Sequence, residues 1–274
     1  MNHRRFIAMA IAIQAAALCA PGQTPDVRQF APTGTLRVAF LKDNAVQGRV
    51  DAKTGAVSGP VTDITRELAR RLGVPFQITP AAGVRAVLDS VKMHTADLGF
   101  LAFDATRAAE VDFTQNYELA YNSYLVRLDS PLQKIPDADR PGMRIAARKG
   151  DSGELYLSRT LKQAEVKAIP GLDVADAQKM LAASEIDAFA TNRERLVAES
   201  APFPNVRVLP DNFFAVEQAL IVAKGNAAQL AYLNGLIDDL RASGFLQAAI
   251  DRAHLHGVDV APRSTRENGR PLRP

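Results

Sequence analysis

Along the first third of the chain, apolar positions change period repeatedly. Residues 35–41 alternate as a half-buried strand does, with Gly34 in front. In 61–72, Val61, Ile64, Leu68 and Leu72 recur at helical spacing, with Arg66, Glu67, Arg70 and Arg71 outward and Gly73 as a stop. Residues 74–79 predict a second strand, 84–94 a helix carrying Val84, Val87, Leu88 and Val91 on one side, and 96–102 a third strand. The segment 42–60 between the first strand and helix holds Gly48, Gly55 and Gly59 and reads as a loop.

The same rhythm returns after an extended crossing at 123–127: strand 143–147, helix 152–163, strand 166–169, helix 174–183 and strand 186–191. A short strand at 206–209 and a second extended crossing at 219–223 follow. Helices at 227–243 and 245–254 carry an apolar stripe of Leu230, Leu233, Leu236, Ile237 and Leu240, which reads as core closing the first lobe. Strand and helix alternating through short connections predicts parallel sheets covered on both faces. The fold class expected is therefore α/β, two Rossmann-like lobes joined by two hinge strands, with strand carboxyl ends facing a shared cleft.

Composition narrows the function classes. With 274 residues and 47% hydrophobic content the chain can build one large core or two modest ones. Its net charge of +3 is mild, tryptophan is absent, and the aromatics do not alternate with Lys or Arg, so no nucleic-acid partner is expected. Arg4 and Arg5 followed by an uncharged run to Ala20 and then Pro21-Gly22 read as a signal peptide over 1–22, too short for a good membrane span. Cys19 is the single cysteine; lipidation there ranks second to plain cleavage because Leu18 is bulky, and export follows either way. The segment 259–274, with Arg263, Arg266, Arg270, Arg273 and three prolines, reads as a disordered basic tail. No cofactor or metal site is expected: His94, His254 and His256 lack a ligand-spaced partner, and no glycine-rich phosphate loop or nucleophile elbow is present.

Two places carry candidate chemistry. Arg107 follows an apolar run and precedes Val111-Asp112-Phe113-Thr114, where a guanidinium offers a planar fork of donors to one carboxylate. A solvated loop arginine beside Glu110 and Asp112 is the competing reading. Gly150-Asp151-Ser152 opens a helix whose unpaired N–H groups suit an anion, while Asp151 or Ser152 also suits a helix cap, and both can hold at once.

Several motifs in order, Gly34-Thr-Leu-Arg-Val38, Ala96-Asp-Leu98, Thr106-Arg-Ala108, Lys149-Gly-Asp-Ser152, Ile186-Asp-Ala188 and Ser243-Gly244, resemble the extracellular solute-binding proteins of family 3, which serve polar amino-acid uptake. The resemblance implies the two-lobed type II periplasmic binding fold, lobe 1 over 34–124 and 222–258 and lobe 2 over 125–221. It implies a monomer that captures a small carboxylate or amino-acid-like ligand by hinge closure and delivers it to an inner-membrane ABC permease. Arg107 then grips the ligand carboxylate, and Ser152, with Asp151, meets it from the second lobe. Asn192 stands where the family's usual carboxylate pairs with a ligand ammonium, which argues against an ordinary α-amino acid. Asp43 is a substitute charge or a solvated turn acid. Phe100 and Ala102 replace hydroxyl side chains, making a less polar pocket. Arg140-Pro-Gly142 and the run Phe214 to Ala219 also resemble the cyclohexadienyl dehydratase group on the same fold, in which Glu217 is a general acid; a hinge carboxylate facing water is the alternative.

Overall fold

The computed structural model describes residues 26–263 and the backbone of 266–267 and 270–271. The expected signal peptide, with Cys19, and the end of the expected tail lie outside the described residues.

In chain order the strands are β1 Leu36–Leu41, β2 Arg49–Val50, β3 Val57–Ser58, β4 Phe76–Ala81, β5 Leu98–Ala102, β6 Asp112–Arg127, β7 Arg144–Arg148, β8 Glu165–Ile169, β9 Ala188–Asn192, β10 Val206–Val208, β11 Phe214–Val222, β12 Val258–Val260, β13 Arg266–Glu267 and β14 Arg270–Pro271. The helices are α1 Pro60–Leu72, α2 Val84–Lys92, α3 Ala105–Ala108, α4 Ser152–Thr160, α5 Val174–Ala182, α6 Arg193–Ser200, α7 Ala227–Ala242 and α8 Phe245–Arg252.

The main sheet runs β4-β1-β5-β11-β6-β9-β7-β8. On one side β4, β1 and β5 are parallel; on the other, β9, β7 and β8 are parallel. Each parallel half has its first strand between its second and third, so the α/β order read from the sequence occurs twice. Between the halves, β11 and β6 run antiparallel to each other, to β5 and to β9.

Alternation along β1 explains the layering. Leu36, Val38 and Phe40 pack with Ile64 and Leu68 of α1 and with Leu233, Leu236 and Ile237 of α7. Ala39 faces the other way, into a cluster with Val87, Leu88 and Val91 of α2. The second half is covered likewise: Ile145 and Ala147 face Leu157 of α4, while Ala146 faces α5 and α6 through Ala177, Leu181 and Leu196.

One device fixes the first strand in both halves. The Asp97 carboxylate accepts from the Arg37 backbone N–H at 2.8 Å and from its guanidinium at 3.1 and 2.5 Å. Asp187 repeats this on Arg144 at 2.8, 3.0 and 3.0 Å. The Ala96-Asp-Leu98 and Ile186-Asp-Ala188 motifs are therefore framework, clamping the third strand of each half to the first.

Three sequence expectations need correction. The first crossing, expected over 123–127, is the end of a 16-residue strand that begins at Asp112. Its polar residues hid it, because they are buried through specific partners: the Gln115 backbone N–H and side-chain amide donate to the side-chain and main-chain oxygens of Asn234, each at 2.7 Å. Glu118 on the same strand is 1% exposed beside Tyr117, and burial drives its carboxyl well above the usual range. The helix α6, where no element was expected, buries only Glu194 and Leu196 and so has no apolar stripe to read. The tail expected to begin at 259 starts instead inside the sheet, since β12 pairs with β6 and Ala261 is fully buried.

The Asp97 carboxylate is buried at 4% exposure against 26% for Asp187. We expect Asp97→Ala to cost about 3 kcal/mol and Asp187→Ala about 1 kcal/mol in urea unfolding. Equal losses would mean that burial does not set the strength of these clamps.

Candidate functional site

Where β5 ends, Asp104 caps a single helical turn by accepting from the Thr106 N–H at 2.8 Å. That turn swings Arg107 back over the strand end, where its Nη1 donates to the Ala102 carbonyl at 2.8 Å. The side chain is 5% exposed and reaches the other half of the molecule: Nη2 donates to the Gly150 carbonyl at 3.1 Å and Nη1 to Ser152 Oγ at 3.4 Å. Among the described residues no carboxylate lies within ion-pair distance of it. Burial pulls its pKa down, opposed by the charges of Asp104 and Asp151. A buried guanidinium held only by carbonyls and a hydroxyl is an incomplete pair, and a carboxylate completes it.

From the other half, β7 ends at Arg148 and the chain turns through Gly150, whose φ of 84° favours glycine. Asp151 occupies the cap position of α4, yet its side chain makes no capping bond. Glu154, in the first turn, accepts from the Gly150 N–H ahead of the helix at 2.9 Å and from Ser158 Oγ at 2.8 Å, so the first-turn N–H groups keep no capping side chain. Asp151 is left facing the cleft. Burial raises its carboxyl above the ordinary value, and the guanidiniums of Arg148, Arg195 and Arg107 oppose that rise.

Asn192 caps α6, its side-chain oxygen accepting from the Arg195 N–H at 2.8 Å. The same helix carries Arg195, whose Nη2 donates to the Asp43 carbonyl at 2.5 Å. The Asp43 carboxylate accepts from Arg148 Nη2 at 3.2 Å. Beneath these groups Val216 and Gln218 of β11 and Ala120 and Asn122 of β6 form a floor. Gln218 is fixed there by Gln47, whose Nε2 donates to its Oε1 at 2.8 Å.

The space enclosed is about 350 Å³, the size of a small-molecule site. Six of the eight residues singled out from the sequence line it: Arg107, Ser152, Asn192, Ala102, Asp151 and Asp43. Phe100 does not, because alternation along β5 turns it into the α1/α7 core against the Tyr117 ring at 5.6 Å. Glu217 does not either. Its neighbours Val216 and Gln218 face the cavity, while Glu217 gives its backbone carbonyl to the Phe103 N–H at 2.8 Å. Arg148, Arg195 and Gln218 went unread. The signal for Arg195 was present, since Asn192 followed by Glu194 is a helix-start pattern that places residue 195 in the first turn.

The family model for bacterial extracellular solute-binding proteins, family 3, matches residues 36–255. The chain belongs to that family. This family 3 chain is 27% identical over 194 residues to a glutamine-binding protein of Geobacillus stearothermophilus, covering 69% of this chain and 73% of that protein. It is 27% identical over 205 residues to membrane-bound lytic murein transglycosylase F of Pseudomonas savastanoi pv. phaseolicola, covering 72% of this chain but only 41% of that larger protein. Among solved structures, a binding component of an ABC transporter from Wolinella succinogenes complexed with lysine superimposes with a TM-score of 0.68 at 22% identity, over 80% of this chain and 95% of that one. The type II periplasmic binding fold expected from the sequence is thereby established.

Charge pairs bridge the two halves of this family 3 fold: Asp43 with Arg148 at 3.2 Å, Asp104 with Arg159 at 3.1 Å, and Arg49 with the buried Glu194. Salt near 1 M shortens the screening length to about 3 Å. We therefore expect the radius of gyration of the ligand-free protein, measured by X-ray scattering, to rise between low and high salt. A constant radius would show that these pairs do not hold the halves together.

Proposed function

We propose that this protein captures an α-amino acid in the cleft by closing its two lobes, and presents it in the periplasm to an inner-membrane ABC permease. The lobes are taken as 34–124 with 222–258, and 125–221. The observation that carries the reading is the buried Arg107 guanidinium, free of any carboxylate among the described residues, on the wall of the 350 Å³ cavity. A ligand carboxylate completes its fork and shares the uncapped start of α4 with Ser152.

Asp151 answers the difficulty posed by Asn192. A carboxylate in the cavity with no hydrogen bond of its own among the described residues suits a ligand ammonium, so an ordinary amino acid is accommodated despite the amide at 192. Asn192, its oxygen occupied by the cap, keeps amide N–H donors for the ligand. Contacts to Ser152, Asp151 and Asn192 require the closed arrangement, so ligand shifts the population toward closure by its extra affinity for that form. A partner then reads occupancy as shape.

Binding without turnover is the reading favoured over dehydration. The acid that a dehydratase requires was assigned to Glu217, and that residue is not among those lining the cavity.

By titration calorimetry, Arg107→Ala is expected to weaken amino-acid binding at least ~10-fold, the loss of about 1.5–3 kcal/mol of charge-assisted bonding. Unchanged affinity removes Arg107 from the site. The pH dependence has a definite sign. Ligand ammonium favours ionised Asp151, so binding expels its proton and affinity rises with pH through a range above the ordinary 3.8, then levels off. Asp151→Asn is expected to weaken binding and to flatten that profile; a profile unaltered by the substitution assigns the ammonium elsewhere.

A further inference from the structure

We infer that the cavity has a second anion subsite, built by Arg148 and Arg195, and that its preferred ligand is an amino acid with an acidic side chain. The inference rests on the proposed function, in which Arg107 and Asp151 take the α-carboxylate and the ammonium. Those two assignments leave two further guanidiniums on the cavity wall. The Arg195 side chain is 11% exposed and that of Arg148 is 26% exposed, so both are substantially withdrawn from water.

Neither is saturated. Arg148 commits only Nη2, to Asp43, and its Nε and Nη1 make no hydrogen bond among the described residues. Arg195 commits Nη2 to the Asp43 carbonyl and Nε to Glu199 at 3.3 Å, leaving Nη1. A planar carboxylate between the two can therefore be met by donors from both. The Asp43 carboxylate now facing Arg148 sits in the loop after β1 and is one-third exposed, so it can yield to a ligand group without disrupting a strand or helix.

Charge balance and shape point the same way. The lining carries Arg107, Arg148, Lys149 and Arg195 against Asp43, Asp151 and Glu154, one positive charge in excess. A ligand of net charge −1 cancels that excess, whereas a basic amino acid doubles it. Lys and Arg side chains also lack a ring to lie against, because among the described residues no aromatic side chain lines the cavity. An extended basic side chain meets Arg148 or Arg195 head-on, and like charges this poorly hydrated repel strongly.

The test is calorimetric titration of the unmodified full-length protein at low ionic strength with L-glutamate, L-aspartate, L-glutamine and L-arginine. At least one acidic amino acid is expected to bind ~10-fold or more tightly than both glutamine and arginine. Arg148→Gln and Arg195→Gln, each checked for a native melting transition, are expected to bring the glutamate-to-glutamine affinity ratio toward one. Glutamine or arginine binding as tightly as the acidic pair overturns the inference; if Arg107→Ala still abolishes that binding, the amino-acid reading stands without it. Absence of binding by all four overturns both.

Discussion

A guanidinium buried at the seam between two halves is the constraint on which the arrangement of this protein depends. Arg107 belongs to the first half, but two of its hydrogen bonds end on Gly150 and Ser152 of the second. Those bonds go to neutral oxygens, which solvate a guanidinium less well than a carboxylate does. The guanidinium is thus withdrawn from solvent and electrostatically incomplete. Under the proposed function an anionic ligand satisfies both conditions and strengthens the same cross-cleft bonding.

The rest of the fold holds that guanidinium in place. Arg107 is aimed by one helical turn, which Asp104 caps at the end of β5, and β5 is clamped to β1 through Asp97 and Arg37. The second half holds Asp151 and Ser152 by an equivalent chain: Asp187 clamps β9 to β7, and β7 runs into the turn at Gly150. Both sides of the cleft are built at the carboxyl ends of parallel strands, where side chains from successive loops converge. Two antiparallel strands, β6 and β11, join the halves and supply the floor, so any rotation between halves is absorbed next to the ligand space.

Electrostatics within the cavity is not a simple positive field. Glu154 is spent on the start of α4, and Asp43 on Arg148. Asp151 alone among the lining acids has a side chain with no hydrogen bond among the described residues. The sequence argument against an ordinary α-amino acid weighed position 192, with Asp43 as a candidate substitute charge. The proposed function places that counter-charge on Asp151, forty-one positions earlier in the chain, in a loop that lines the same cavity.

The grouping of Arg107, Ser152 and Asp151 came from the family resemblance, and the structure sets all three on one cavity. Local pattern by itself determined the α/β alternation and its repetition, because strand and helix periods and helix-start residues are written in short windows. It could not reveal β6 before residue 123 or the helix α6, whose buried polar groups are satisfied by partners far away in the chain. Nor could it orient residues within a strand: Phe100 was correctly placed on β5 but on a face that only sheet register and layering decide. Glu217, expected just ahead of the crossing at 219–223, lies within β11, whose start at Phe214 was not read. Arg148 and Arg195 gained significance only in three dimensions. Each is an unremarkable charge in sequence, and the packing of the second half sets the end of β7 and the first turn of α6 on one wall of the cavity.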